Sequence, residues 1–280
     1  MIAIASPQGG TLQAEWTLAG DRQAPILYLH GWGGSRRNWQ PMAQDLEDCG
    51  AGLALDWRGF GEARSQPADQ DYSLQATVAD LVALLDQLAL PSVRIVAHSW
   101  GCSVALLFAQ AYSDRVDRLL LTASGLFSYS AIAFAIFQQI SQLLVRSRSP
   151  LWQQIPGLDR LILSRFCHQP LDPVTTRSFL EDFLQADTEA AIGSLQDAVS
   201  LTAVEQLGQA WRSLSVPTLL ISGQFDQIAP VVLGERAAAL SDRCRQVVMP
   251  QVGHLPMLED PTAFAAIARP FLQADRNSLP

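Results

Sequence analysis

The sequence predicts an α/β fold: a mostly parallel, doubly wound sheet interrupted by an all-helical insertion. Three observations carry this expectation. Short runs of consecutive apolar residues (Ile26 to Leu29, Val93 to Val96, Val116 to Leu121) alternate with segments of helical spacing such as Val78 to Leu90 and Val104 to Ala111. A run that is apolar at every position marks a strand buried on both faces, and such strands need helices above and below a parallel sheet. The alternation stops near Leu126, gives way to helical patterns and prolines as far as Trp211, and resumes at Val216.

Length and composition set the frame. At 280 residues the chain is long for one plain sheet-and-helix unit and short for two independent domains. One core, residues 1–125 and 212–280, with residues 126–211 inserted as a helical lid over the strand ends, fits best. Hydrophobic residues at 49% and charged ones at 16% are those of a globular chain, and a net charge of −8 repels nucleic acid. All 19 basic residues are arginine, so lysine Schiff-base and lysine general-base chemistry are excluded. Cys49, Cys102, Cys167 and Cys244 are scattered without a C-x-x-C pair, so free thiols in a reducing compartment, no metal site and no cofactor are expected. The first residues lack a basic start followed by a long apolar run, which makes the cytoplasm the default location. The apolar stretch Ala131 to Phe137 stops at Gln138, far short of the roughly 20 residues that span a bilayer.

In chain order, residues 1–18 read as a hairpin around Pro7-Gln8-Gly9-Gly10. Ile26 to Leu29 is a buried strand that runs into His30-Gly31-Trp32-Gly33-Gly34-Ser35, where glycines let backbone approach a ligand. Trp39 to Leu46 suits a helix, Leu53 to Leu55 a strand, and Asp56 to Gly61 the loop after it. Val78 to Leu90 is a helix closed by Pro91, and Val93 to Val96 a strand. Beyond the insertion come a strand from Val216 to Ile221, a helix from Val232 to Leu240, a strand from Gln246 to Met249 and a helix from Thr262 to Leu272.

Chemistry concentrates at Ala97-His98-Ser99-Trp100-Gly101, between a strand and a helix. A serine at a sharp strand-to-helix turn stands proud of the sheet edge, and the free N–H groups of the helix start face a developing oxyanion. The same five residues also fit an ordinary buried turn, so the rest of the chain decides. A nucleophilic serine needs a base, and the base an orienting acid. Of four histidines, His30 belongs to the glycine-rich loop, His98 precedes the serine and is expected to point away from it, and His168 lies in the insertion. His254 remains, on the loop after the last strand, with a plain surface histidine as the alternative. Asp226 follows the preceding strand, with an aspartate capping the next helix as its alternative. The N–H groups of Trp32 and Trp100 are the expected oxyanion donors.

The order Ser99, Asp226, His254 resembles that of the α/β-hydrolase fold superfamily. Its H-G-x-G loop matches His30 to Gly33, its D-x-R-G-x-G loop Asp56 to Gly61, and its nucleophile turn Ala97 to Gly101. Ala97 in place of glycine, Cys102 in place of a common second glycine and Ala63 in place of serine are departures that leave the chemistry intact. The resemblance implies ester, thioester or activated-amide cleavage through an acyl-enzyme. Haloalkane dehalogenases and epoxide hydrolases, which carry aspartate at the position of Ser99, are thereby disfavoured. Hydroxynitrile lyases and carbon–carbon bond hydrolases share the triad, and some members of the fold are ligand receptors. The glycine-rich loop and the arginine-bearing insertion are similar to those of the pimeloyl-carrier-protein methyl ester esterases of biotin synthesis, which implies an acidic acyl carrier protein as partner. Arg146, Arg148, Arg160 and Arg165 are the expected partner surface, and Phe127, Phe134, Phe137 and Leu144 the expected acyl pocket, with scattered solvated charge and lid packing as alternatives.

Overall fold

A computed structural model of the chain describes residues 1–18, 20, 24–127 and 131–274, without the side chains of 18, 131, 133 and 134. Strands β1 (Ile2–Ala5), β2 (Thr11–Leu18), β3 (Ile26–Leu29), β4 (Gly52–Asp56), β5 (Val93–His98), β6 (Val116–Thr122), β7 (Thr218–Gly223) and β8 (Cys244–Met249) form one sheet in the order β1-β2-β4-β3-β5-β6-β7-β8. The β1–β2 and β2–β4 pairs are antiparallel and every other pair is parallel.

The consecutive apolar runs are explained by two cores. Leu27 and Leu29 of β3 point into one cluster with Leu53, Leu55, Ile95 and Leu119, whereas Ile26 and Tyr28 point into another with Ala54, Val96 and Leu120. Side chains alternate along a strand, so a strand with oil on both sides reads as unbroken apolar sequence. Helices α2 (Leu74–Gln87) and α3 (Trp100–Ala111) cover the first cluster, and α1 (Gln40–Ala43) with α11 (Pro261–Gln273) covers the second.

Two expected elements differ in detail. The segment from Trp39 to Leu46 is not one helix but 3₁₀ turns at Arg36–Trp39 and Gln44–Cys49 around the single turn α1, with Leu46 at φ −113°, outside the helical region. Trp39, Met42 and Leu46 are nevertheless all buried, because mixed three- and four-residue turns still keep them on one side. Helix α2 begins before the expected Val78 because the Ser73 hydroxyl accepts the N–H of Ala76 and caps it. It ends at Gln87, before the expected Leu90, and Ala89 then turns left-handed at φ +51°.

Between β6 and β7 every described element is helical: α4 (Ala131–Arg146), a 3₁₀ turn at Pro150–Gln154, α5 (Leu158–Leu163), α6 (Pro173–Gln185), α7 (Thr188–Ala198) and α8 (Leu201–Arg212). Helix α9 (Val231–Ala238) then links β7 to β8, and the short α10 (Pro256–Glu259) precedes α11. Among the described residues no helix is long and apolar enough to cross a membrane.

Candidate active site

Ser99 is a single residue between the last position of β5 and the first of α3, held at φ +50° and ψ −117°. A non-glycine residue in that region costs on the order of 1–3 kcal/mol and persists only where its surroundings over-determine it. Here they do: the Ser99 N–H donates to the carbonyl of Thr122 at 2.9 Å, and the Ser99 carbonyl accepts from Cys102 N–H at 2.9 Å. The small residues around the turn are demanded by neighbouring loops. A Cβ on Gly101 would stand 2.6 Å from the His30 carbonyl oxygen, and one on Gly31 would stand 2.5 Å from His98 Nδ1 and 3.2 Å from Ser99 Cβ.

Sheet topology brings the distant residues to this turn. β3 and β5 are neighbours although β4 lies between them in sequence, so the chain winds outward in both directions from that seam. Open α/β sheets place ligands beyond the strand C-termini at such a seam. β7 delivers Asp226 and β8 delivers His254 to the same edge. His254 Nε2 lies 2.9 Å from Ser99 Oγ, and His254 Nδ1 lies 2.8 Å from Asp226 Oδ2. The other carboxylate oxygen of Asp226 accepts the N–H groups of Ile228 and Ala229 at 2.7 and 2.8 Å. Burial works to raise the Asp226 carboxyl, but the His254 ring and these N–H groups outweigh it and hold the group below the usual carboxylate range. Asp226 is thus an anion aimed at one ring nitrogen of His254, which leaves the other to accept the Ser99 hydroxyl proton.

The glycine-rich loop lies against the same turn. His30, fully buried, donates Nδ1–H to the Gly31 carbonyl at 2.7 Å and accepts the Trp57 N–H at Nε2 at 3.2 Å, which fixes one neutral tautomer. Among the described residues neither the Trp32 nor the Trp100 backbone N–H donates to another protein atom. These are the two groups expected to face an oxyanion.

His98 is the residue that sequence reasoning underrated. Its side chain does not simply point away. Its ring stands 5.0 Å from that of His254, edge to face, and its Nε2 lies 2.9 Å from the His254 carbonyl oxygen. The available signal was the histidine at the end of a buried strand directly before the serine, a polar residue in a place that needs a partner. Among the described residues no group of three His, Cys, Asp or Glu side chains is placed to hold a metal ion.

A family profile described as alpha/beta hydrolase fold matches residues 24–261, most of the chain. The chain belongs to the α/β hydrolase fold family. Among similar proteins, a pimeloyl-[acyl-carrier protein] methyl ester esterase of Neisseria meningitidis is 27% identical over 256 residues, covering 90% of this chain and 95% of its own. A 2-hydroxymuconate semialdehyde hydrolase of Pseudomonas sp. (strain CF600) is 26% identical over 262 residues, covering 91% and 89%. A solved thermophilic esterase from Thermogutta terrifontis superposes with a TM-score of 0.78 at 24% identity, covering 97% of each chain, a likeness of fold.

In this α/β hydrolase two of the four expected acyl-pocket residues, Phe137 and Leu144, face outward. Helix α4 packs through Ser141 and Val145 against Ala191 and Leu195 of α7, and this turns its other side outward. Phe137 and Leu144 are 49% and 44% exposed, on the same outward side as Ile132, Ile136, Ile140 and Leu143. Phe127 is partly buried, and the side chain of Phe134 lies outside the described residues. The arginine set divides as well. Arg146, Arg160 and Arg165 are exposed, with Arg165 donating to Gln227 Oε1 at 3.1 Å and the Gln227 carbonyl at 3.2 Å. Arg148 is committed inward: it donates to the carbonyls of Val145, Phe183 and Ala186 and lies over the Phe183 ring. It ties helices together and is not free for a partner.

Proposed function

We propose that the chain is a serine hydrolase that cleaves a carboxylic ester through an acyl-enzyme. The observation that carries this is the relay in which one imidazole meets Ser99 Oγ at 2.9 Å and Asp226 at 2.8 Å. Ser99 Oγ attacks the ester carbonyl carbon while its proton passes to His254 Nε2, and the carbonyl electron pair moves onto oxygen, towards the N–H groups of Trp32 and Trp100. Asp226 stabilises the imidazolium and stays ionised. Collapse of the tetrahedral species breaks the bond to the alkoxy group, which leaves as an alcohol with the proton from His254. Water then repeats the sequence on the acyl-enzyme and regenerates Ser99. Residues 126–211 serve as a cap beside this edge.

Fluorophosphonate labelling followed by peptide mapping tests the assignment, together with hydrolysis of p-nitrophenyl esters from acetate to palmitate. Label on Ser99 alone, with activity lost by orders of magnitude in Ser99→Ala, is the expected result. Label elsewhere, or undiminished turnover in Ser99→Ala, overturns it.

As to the acyl group, the likeness to the Neisseria esterase and the exposed Arg146, Arg160 and Arg165 support an acyl ester borne on an acidic carrier protein. Purified protein is then expected to release methanol from carrier-bound pimeloyl methyl ester and to rescue a biotin auxotroph lacking that esterase. Efficient cleavage of free esters with the carrier-bound one untouched rejects the carrier. The likeness to the semialdehyde hydrolase supports carbon–carbon bond hydrolysis as the second reading, and product analysis with a vinylogous diketone separates the two.

A further inference from the structure

The loop that bears Trp32 is fastened to the cap helices through polar contacts that the hydrolytic scheme leaves unused. Ser35, 1% exposed, donates its hydroxyl to Asp182 Oδ2 at 2.7 Å, and Arg37 pairs with Asp182 Oδ1. The same guanidinium reaches Glu181 at 3.4 Å and the Ser178 carbonyl at 3.4 Å. Trp32 itself donates its indole N–H to the Ala191 carbonyl on α7 at 2.8 Å, and its ring lies 5.8 Å from that of Phe183. Asp182 sits on α6, 147 residues from Ser35 in sequence, and is only 3% exposed. A carboxylate buried so deeply needs its oxygens matched, and both matches come from the end of the glycine-rich loop and the 3₁₀ turn that follows it.

We propose that Asp182 is a positioning residue: from the cap, through Ser35 and Arg37, it holds the Trp32 N–H at the place where the oxyanion forms beside Ser99. Within the loop the Gly34 N–H donates to the Gly31 carbonyl at 3.2 Å, and with glycine at 31, 33 and 34 its remaining freedom is limited by the contacts with α6 and α7. The cap thereby does more than cover the site, because displacing α6 would move the Trp32 donor away from that of Trp100. This inference rests on the ester-hydrolase reading of Ser99.

A donor that matters to the oxyanion acts on the transition state and leaves ground-state binding alone. Asp182→Asn and Ser35→Ala are compared with the parent chain on a p-nitrophenyl ester, with active sites counted by complete fluorophosphonate labelling. An alkyl boronic acid, whose tetrahedral serine adduct carries an anionic oxygen, and the carboxylate product serve as inhibitors. The expected result is a fall in kcat per labelled site of about 10–100-fold, with KM within about threefold and boronate inhibition weakened in step with kcat while product inhibition is unchanged. An unchanged kcat per labelled site, or boronate and product weakened alike, reduces Asp182 to a structural anchor and overturns the proposal. Ser35→Ala keeps the Asp182–Arg37 pair, so it gives the answer if Asp182→Asn fails to fold. Failure of the ester-hydrolase reading itself shows separately, as turnover that survives Ser99→Ala in the parent background.

Discussion

His98 Nε2 lies 2.9 Å from the backbone carbonyl of His254, so one histidine holds the peptide of the other. Burial, with the nearby His254 acting in the same direction, lowers the His98 ring to about 3, which keeps it neutral at any working pH. Its only ring proton then belongs on Nε2, where it donates to that carbonyl. His98→Ala removes the tether and lets the His254 peptide shift, while the side chains of Ser99, Asp226 and His254 stay chemically intact. The expected outcome is a loss of about 10–100-fold in kcat, read by stopped-flow on an activated ester. An unaltered rate would show that the His254 loop is held without it.

Gly31→Ala tests the crowding beside the nucleophile. The added methyl would sit 2.5 Å from His98 Nδ1 and 3.2 Å from Ser99 Cβ, so the loop or the nucleophile must move. A displacement of about 1 Å costs about 100-fold in rate. The second-order rate constant of fluorophosphonate labelling measures this directly, and labelling at the parent rate would refute it.

Asp226→Asn keeps the shape of the acid but allows its amide to favour the wrong tautomer of His254. By analogy with other serine triads, kcat is expected to fall by about 10⁴-fold with little change in folding. Turnover of the purified variant, checked by thermal unfolding, decides it.

Acid stability follows from two of the buried imidazoles, His30 and His98. Burial lowers His30 to about 4, against the opposing pull of Asp56 and with Arg36 adding to it, and His98 to about 3, from an ordinary 6.5. Between about pH 6.5 and pH 4 the unfolded chain therefore binds protons that the folded chain refuses. Their contribution to stability is complete above pH 6.5 and is lost as the pH falls. Urea unfolding at pH 7 and pH 5 is expected to differ by on the order of 4 kcal/mol. Equal midpoints at the two pH values would contradict the burial of both rings as neutral species.

The strained turn predicts an ordering of two variants at Ser99. Ser99→Gly relieves the φ of +50°, whereas Ser99→Ala retains it. After allowing for the larger entropy that glycine loses on folding, Ser99→Gly is expected to be about 1 kcal/mol the more stable in chemical denaturation.

The strands were legible because burial on both faces writes itself as unbroken apolar sequence, as at Ile26 to Leu29. The expected serine, acid and base are brought together because each was read at the end of a parallel strand, and parallel strands share one edge. What sequence pattern did not convey was direction and distant pairing. An amphipathic helix such as α4 reads the same whether its apolar stripe meets a core or solvent, so the pattern does not convey that Phe137 and Leu144 are 49% and 44% exposed. Asp182 and Ser35 carry no periodic signal at a separation of 147 residues, and the role of Arg148 depends on carbonyls that only a folded cap exposes.

The order in which the sheet is threaded also has a consequence for biosynthesis. Ser99 is 155 residues ahead of His254, with the whole described helical segment and the strand before Asp226 in between. A nascent chain therefore holds Ser99 without its partner imidazole until residue 254 has been made. The contact between Ser99 Oγ and His254 Nε2 needs β8 at the sheet edge, and β8 is the last strand in chain order.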